Sequence, residues 1–325
     1  MTYLTFSQKE YYCECLFEQN GPYWHICTPG EEMEVIFTSE EDFRFGMNAI
    51  ALAVAELSSK TETDEGCVAF EVVTFELMSD HIHLIMRGPR EICLELLSIF
   101  RTKMRVYMAH RGRSINWSGF KCDDPIEINS LEMLRNEIIY VNRNGYVASK
   151  SETPYSYRWG SGYLYYGIVE QLTIVATKAS DLTYRQKRKM FRADKASLPE
   201  RFVAADGYVL PQSFCNIQLG MSMFRDAHHY FNKLTKAFEA YSESAARLGD
   251  KIFLTDIDLY AVAMDKCRKS YGTDSLNLLQ PAQKLDLAKI LHKQYNASNG
   301  QIRRMLKLDA SIINELFPDG SSERK

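Results

Sequence analysis

"FELMSDHIHLIM", residues 75–86, is an alternating run with two histidines one residue apart. In a β-strand successive side chains point to opposite faces, so His81 and His83 share one face while Ile82, Leu84 and Met86 fill the other. That geometry suits one shared metal ion. Strand histidines with no metal would give the same pattern, so a second element is needed to decide.

Working outward, "YWHICTP" (23–29) reads as a short aromatic strand, and "TSEEDFRFGMNAIALAVAEL" (38–57) as an amphipathic helix capped by Thr38 or Ser39. "TETDEG" (61–66) is a turn, and "CVAFEVVTFEL" (67–77) joins the histidine run as two strands or one long bent one. "REICLELLSIFRTKMRVYMAH" (90–110) puts Leu96, Leu97, Phe100, Met104 and Tyr107 on one helical face. Strand, helix, strands, helix predicts an α+β fold: one antiparallel sheet covered by helices. "GRSINWSGFKCDDPIEI" (112–128) is a hairpin or loop. Asn129 as N-cap with Glu132 predicts a helix over the following residues, ended by Gly145. From about residue 170 the chain turns mostly helical, which places a boundary near 168.

With 46% hydrophobic and 25% charged residues in 325, the chain is globular and long enough for about two domains. A net charge of −3 excludes a protein that is basic throughout, so any nucleic-acid contact must come from local patches. The eight cysteines are scattered and read as reduced thiols of a cytosolic protein. The start "MTYLTFSQKEYY" has no apolar core for a signal peptide. Runs such as "IALAVAEL" fall well short of the ~20 residues of a membrane span, so the expectation is a soluble, cytoplasmic protein with no membrane partner.

The second element is "YVNRN" (140–144), where Tyr140 and Asn144 stand at i, i+4 on one helical face, with Glu137 one turn earlier. A packing aromatic and a capping amide would read the same way. The order "YWHICTP…VIFTSEEDFRF…FELMSDHIHLIM…LRNEIIYVNRNGYVAS…YSYRWGSGY" resembles the REP-associated tyrosine transposases, within the single-tyrosine HUH transposase superfamily. The resemblance covers residues 20 to 166. It rests on a His-hydrophobic-His strand, a Tyr-x-x-x-Asn helix about sixty residues later, and an aromatic Trp-Ser-Ser-like motif.

Carried over residue by residue, the resemblance implies a ferredoxin-like antiparallel sheet flanked by helices, with His81, His83 and Asn144 as ligands of Mg²⁺ or Mn²⁺ and Tyr140 as nucleophile. It implies cleavage and rejoining of single-stranded or hairpin DNA through a 5′-phosphotyrosine, in a nucleoid-associated protein whose site is built within one chain or across a homodimer. Three departures stand out: Asn144-Gly145 replaces Asn-Pro, Asp80 precedes the first histidine in place of Asn, and Trp159-Gly160-Ser161 replaces Trp-Ser-Ser. They leave ligands and nucleophile intact, are expected to loosen the loop after the helix, and bear on target specificity.

Basic residues supply candidate phosphate contacts: Arg101, Lys103 and Arg105, continuing to Arg111 and Arg113, and "YRQKRKMFR" (184–192). Arg158 and Trp159 would meet unpaired bases, unless the aromatics there are core. The segment 284–317 resembles a helix-turn-helix with its turn at Lys307 to Asp309, and Arg303, Lys307, Ser311 and Asn314 are its candidate DNA contacts. A protein-contacting helical cap is the alternative. The expected organisation is thus a catalytic domain over 1–168, a helical accessory domain over 169–280 and a DNA-binding segment over 281–325. The rival to the transposase reading is a non-catalytic DNA-binding regulator that retained the fold.

Overall fold

The computed structural model describes residues 4–29, 33–61, 70–148, 157–167, 176–192, 198–247, 256–295 and 297–318. Residues 62–66 of the expected turn and the boundary expected at 168 lie outside the described residues.

Helix α1 (Phe6–Asn20) leads into β1 (Tyr23–Cys27), α2 (Glu40–Thr61), the hairpin β2 (Glu71–Leu77) and β3 (Ile82–Arg87), then α3 (Arg90–His110), β4 (Ile126–Ile128) and α4 (Leu131–Ala148). The strands form one antiparallel sheet in the order β2-β3-β1-β4. The histidine stretch is therefore two strands joined by a tight turn, and β3 is an inner strand. Pairing sets Glu76 opposite His83 on one side and Cys27 opposite His83 on the other. Directly opposed residues share a face, so Glu76, His83 and Cys27 form one row, with His25 beside it.

The other face carries Phe75, Leu77, Leu84 and Met86, all buried. Helix α2 lies against it, since a Cβ added at Gly46 would run into Leu77 and Phe37. Helix α3 packs beside α2. Helix α2 begins where expected, Ser39 Oγ accepting from the Asp42 N–H at 3.3 Å. Basic residues of α3 and of the turn after it are drawn into this packing. Lys103 pairs with Glu56 at 2.9 Å, Arg101 donates to the Phe120 carbonyl at 3.3 Å, and Arg113 donates to the Ile36 and Val35 carbonyls at 2.6 and 2.7 Å. These candidate phosphate contacts thus belong to the α2 side of the sheet, not to the histidine face.

Helix α4 covers the histidine face. Ser130, not Asn129, caps it, its Oγ accepting from the Met133 N–H at 3.3 Å. Gly145 does not end it, because the helix runs on to Ala148.

Further along the chain come β5 (Thr177–Lys178), α5 (Tyr184–Phe191), β6 (Val203–Ala205) and β7 (Tyr208–Val209), then α6 (Ile217–Ser222) and α7 (Ala227–Arg247). Strands β5, β6 and β7 make a small second sheet. These elements close over the first unit, and one apolar core runs from Cys13 to Leu234. Buried Asn48 of α2 is the polar clasp: its Oδ1 accepts from the Val209 N–H at 2.9 Å, and its Nδ2 donates to the carbonyls of Met190 and Gly207 at 3.1 Å.

A second core gathers α8 (Asp256–Tyr271), α9 (Pro281–Tyr295), α10 (Asn299–Leu306) and α11 (Ala310–Leu316) around Leu259, Cys267, Leu287, Leu291, Ile302 and Ile313. Val35, from the loop before α2, inserts into it. The turn between α10 and α11 starts at Lys307, in the left-handed region at φ 52°. Among the described residues no helix is long and apolar enough to cross a membrane.

Candidate active site

The sheet register and α4 bring four sequence-selected residues toward one place. His81 and His83 point to the same side, with their Nε2 atoms 3.0 Å apart. Tyr140 stands over them from α4, its ring centroid 5.4 Å from that of His83 and 5.9 Å from that of His25. The Tyr140 side is open: the residue is 39% exposed while His83 is 3% exposed. Asn144, one turn on, is buried and its Nδ2 has no hydrogen-bond partner.

How these groups are held depends on contacts between elements distant in the chain. His25 Nε2 lies 3.0 Å from His83 Nδ1, and Glu137 Oε2 lies 2.8 Å from His25 Nδ1. At the other end Asp80 Oδ1 is 2.6 Å from His81 Nδ1, and Asp80 Oδ2 is 2.8 Å from Arg304 Nε. The result is one chain: Glu137, His25, His83, His81, Asp80, Arg304.

Counting protons along it tests the site for a cation. Three neutral imidazoles have three N–H groups. If His81 donates from Nδ1 to Asp80 and His83 from Nδ1 to His25 Nε2, both hydrogen bonds on the outer sides of the pair are made, while His25 Nδ1 meets Glu137 at ion-pair distance without hydrogen-bond geometry. The Nε2 lone pairs of His81 and His83 then face each other. Without a cation, closing that gap takes the other tautomers, His83 donating from Nε2 to His81 and His25 donating from Nε2 to His83 Nδ1. An ion ~2.1 Å from each nitrogen fits the 3.0 Å gap at about 90° between the bonds, and the outward N–H bonds are those that orient metal-bound imidazoles elsewhere.

Electrostatics favour the neutral ring where it matters. Burial, then the neighbouring His81 and His25, holds the His83 imidazole well below its ordinary pKa, so its lone pairs stay available. Burial pushes the Cys27 thiol up to about 12. Burial also raises the Tyr140 phenol, with Cys27 and Glu137 adding to it, while Arg143 and Asn144 oppose. The Arg143 guanidinium sits 5.3 Å from the Tyr140 ring centroid.

A second donor set shares His83. His25, Cys27 and His83 offer ligand atoms within 4.8 Å of one another, and this cluster can hold a metal ion. Cys27 Sγ is 4.0 Å from His83 Nε2. Glu76, in the same sheet row, is fully buried with one carboxylate oxygen unpartnered, and its carboxyl is held well above the usual range by that burial against the opposing Gly145 N–H.

No known family, curated protein or solved structure matches this chain.

The motif departures have structural reasons. A Cβ at Gly145 would lie 2.3 Å from Tyr157 Cγ and 2.7 Å from Glu76 Oε1, so the position excludes a side chain. The loop after the helix, where loosening was expected, lies outside the described residues. Residues 159–161 pair with the edge of β2, the Leu77 N–H donating to the Trp159 carbonyl at 2.8 Å and the Ser161 N–H to the Phe75 carbonyl at 3.0 Å. Trp159 is 6% exposed and stacked on Phe43, with the Arg158 guanidinium 4.7 Å from its ring centroid, so of the two readings, base-stacking surface or core, it is core.

The remaining candidates are dispersed. Arg105 is exposed on α3. Lys307 is paired with Glu34 at 3.0 Å, Ser311 Oγ donates to the capping Asp309, Arg303 is half-buried on α10, and Asn314 is exposed on α11.

Proposed function

We propose that this protein is a metal-dependent single-strand DNA strand transferase, with Tyr140 as nucleophile and His81, His83 and Asn144 as the ligands of one divalent cation. The observation that carries the reading is the convergence of the two Nε2 atoms, 3.0 Å apart, beneath a half-exposed tyrosine on α4. The connectivity β-α-β-β-α-β with strand order β2-β3-β1-β4 supports a ferredoxin-like sheet of the kind the motif order implies. Between Mg²⁺ and Mn²⁺, two imidazole donors favour Mn²⁺, since Mg²⁺ prefers oxygen and retains water.

A cation held there supplies charge neutralisation at the non-bridging phosphate oxygens and polarises the scissile bond. The rest is done by the chain. Tyr140 Oη forms a bond to phosphorus as the bond to the 3′ oxygen breaks; the phenol loses its proton and the departing 3′ oxygen gains one. Because Tyr140 is held protonated at neutral pH, proton loss accompanies attack, and Arg143 and Asn144 ease it. The 5′-phosphotyrosine keeps the phosphodiester energy, so a second 3′-hydroxyl can reverse the step onto another end.

The test is a covalent adduct. With Mn²⁺ and a single-stranded hairpin, wild type should give a denaturation-resistant protein–DNA species carrying DNA by its 5′ side. Tyr140→Phe should abolish it while DNA binding persists, because one hydroxyl is lost and almost no volume. An adduct formed by Tyr140→Phe would move the nucleophile to another tyrosine, and cleavage without any adduct would make water the nucleophile and end the strand-transferase reading.

A further inference from the structure

The C-terminal helices reach the site itself. Arg304 of α10 pairs through Nε with Asp80 Oδ2 at 2.8 Å, and the other oxygen of that carboxylate binds His81 Nδ1 at 2.6 Å. Asp80 is 3% exposed, and the Arg304 side chain is one-fifth exposed, so the pair is screened from water. The contact is no isolated graze. The loop before α2 sends Val35 into the C-terminal core, while the Ile36 and Phe37 N–H groups donate to the Ser79 carbonyl at 2.7 and 2.9 Å, one residue from Asp80. Lys307, at the end of the same helix, pairs with Glu34 of that loop. The docking of α10 therefore bears on the turn that aims His81.

We infer that Arg304 is a positioning residue for the metal site: by fixing the Asp80 carboxylate it sets the tautomer and aim of His81, so the C-terminal helical unit completes a site whose other residues lie before residue 145. The inference rests on the reading of His81 and His83 as metal ligands. A carboxylate bound to a ligating imidazole fixes which nitrogen carries the proton, and loss of such a partner typically weakens metal capture by roughly 10–100-fold. Removing Arg304 would leave Asp80 in place but with one oxygen bare in a buried turn, free to rotate away from His81. That rotation frees His81 Nε2 from its role as a lone-pair donor aimed at His83.

The experiment measures Mn²⁺ binding by the full-length protein, by calorimetry and by loss of the free-ion electron paramagnetic resonance signal. Arg304→Met should weaken Mn²⁺ binding about tenfold, Asp80→Asn at least as much, and the double variant no more than Asp80→Asn alone. Arg304→Lys should restore part of the loss, as one ammonium can reach one carboxylate oxygen. Glu34→Gln removes the neighbouring docking pair without touching the chain from Glu137 to Arg304, and should leave Mn²⁺ affinity unchanged.

Affinity unchanged in Arg304→Met, losses that multiply in the double variant, or an equal loss in Glu34→Gln would each overturn the inference. If wild type takes up no Mn²⁺, the metal reading fails by itself. The positioning role is then decided on the metal-free protein, by the downfield proton resonance of His81 Nδ1–H. That signal should be present in wild type and Glu34→Gln and broadened away in Arg304→Met; its persistence in Arg304→Met would overturn the inference.

Discussion

His83 has two ring nitrogens, and each faces different company. Its Nε2 meets His81 Nε2 at 3.0 Å and Cys27 Sγ at 4.0 Å, while its Nδ1 meets His25 at 3.0 Å. A cation between His81 and His83 keeps the His25 bond; one bound by His25, Cys27 and His83 must break it and take the thiol as thiolate. The second arrangement is costly, because burial already sets the Cys27 pKa near 12, and it suits a thiophilic ion such as Zn²⁺. Cys27→Ser should therefore leave Mn²⁺ affinity within twofold and weaken Zn²⁺ binding at least tenfold, both read by competition with a chromophoric chelator. A tenfold loss of Mn²⁺ affinity would place the working ion in the cysteine cluster. His81, His83 and Tyr140 were legible because their spacings are local, i, i+2 on a strand and i, i+4 on a helix. His25 and Cys27 carry the same i, i+2 signal in "YWHIC", but their meaning depends on the register that sets Cys27 opposite His83. Glu76 had no local signal at all.

Helix α4 is held by polar contacts that its amphipathic pattern does not announce. Arg135, 2% exposed, donates through Nε to the Met223 carbonyl at 2.7 Å and through its two terminal nitrogens to the Glu10 carboxylate at 2.6 and 3.1 Å. Asn142 bridges Thr74 of β2 and Tyr230 of α7. These bonds fix the rotation that turns Tyr140 toward the histidines. The Arg135 and Arg225 guanidiniums hold the Glu10 carboxyl down at about 2, against an ordinary 4.5. A depressed carboxylate stabilises the fold fully above its ordinary value and loses that contribution as pH falls toward the depressed one. Glu10→Gln should thus cost about 1.5–3 kcal/mol at neutral pH, by thermal or urea unfolding, with the difference from wild type shrinking between pH 4.5 and about 2. A difference that does not change with pH would mean that packing, not charge, is what Glu10 supplies. Helix positions were readable from periodicity, but the end of α4 was not. Gly145 reads as a terminator in one dimension and is, in three, the place where Tyr157 and Glu76 press against the backbone.

At the scale of the whole molecule the two apolar cores decide how the chain can be divided. The first takes in residues on both sides of position 168, from Cys13 to Leu234, so α5, α6 and α7 are built into the unit that holds the histidines. The second joins Leu259, Ala263 and Cys267 of α8 to Leu287, Leu291, Ile302 and Met305 further on. A cut at residue 280 passes through it. Chains ending at 280 should expose the apolar face of α8 and bind a hydrophobic dye or aggregate. Chains ending at 247 remove the second core entire, leaving Val35 as its one bared contributor from the first unit. The shorter protein should unfold in one cooperative transition and keep the covalent adduct at high Mn²⁺, because His81, His83, Tyr140 and Asn144 all precede the cut. Its half-saturating Mn²⁺ concentration should rise about tenfold, as in Arg304→Met, since Asp80 has lost the same partner. Discrimination between hairpins should fall as well if Ser311 and Asn314, exposed on α11, read bases. Retained discrimination would assign that task to the sheet-bearing unit and leave the C-terminal helices as a clamp on the β2–β3 turn. Loss of the adduct even at saturating Mn²⁺, in a chain that still melts cooperatively, would show that those helices contribute more to the chemistry than the aim of His81.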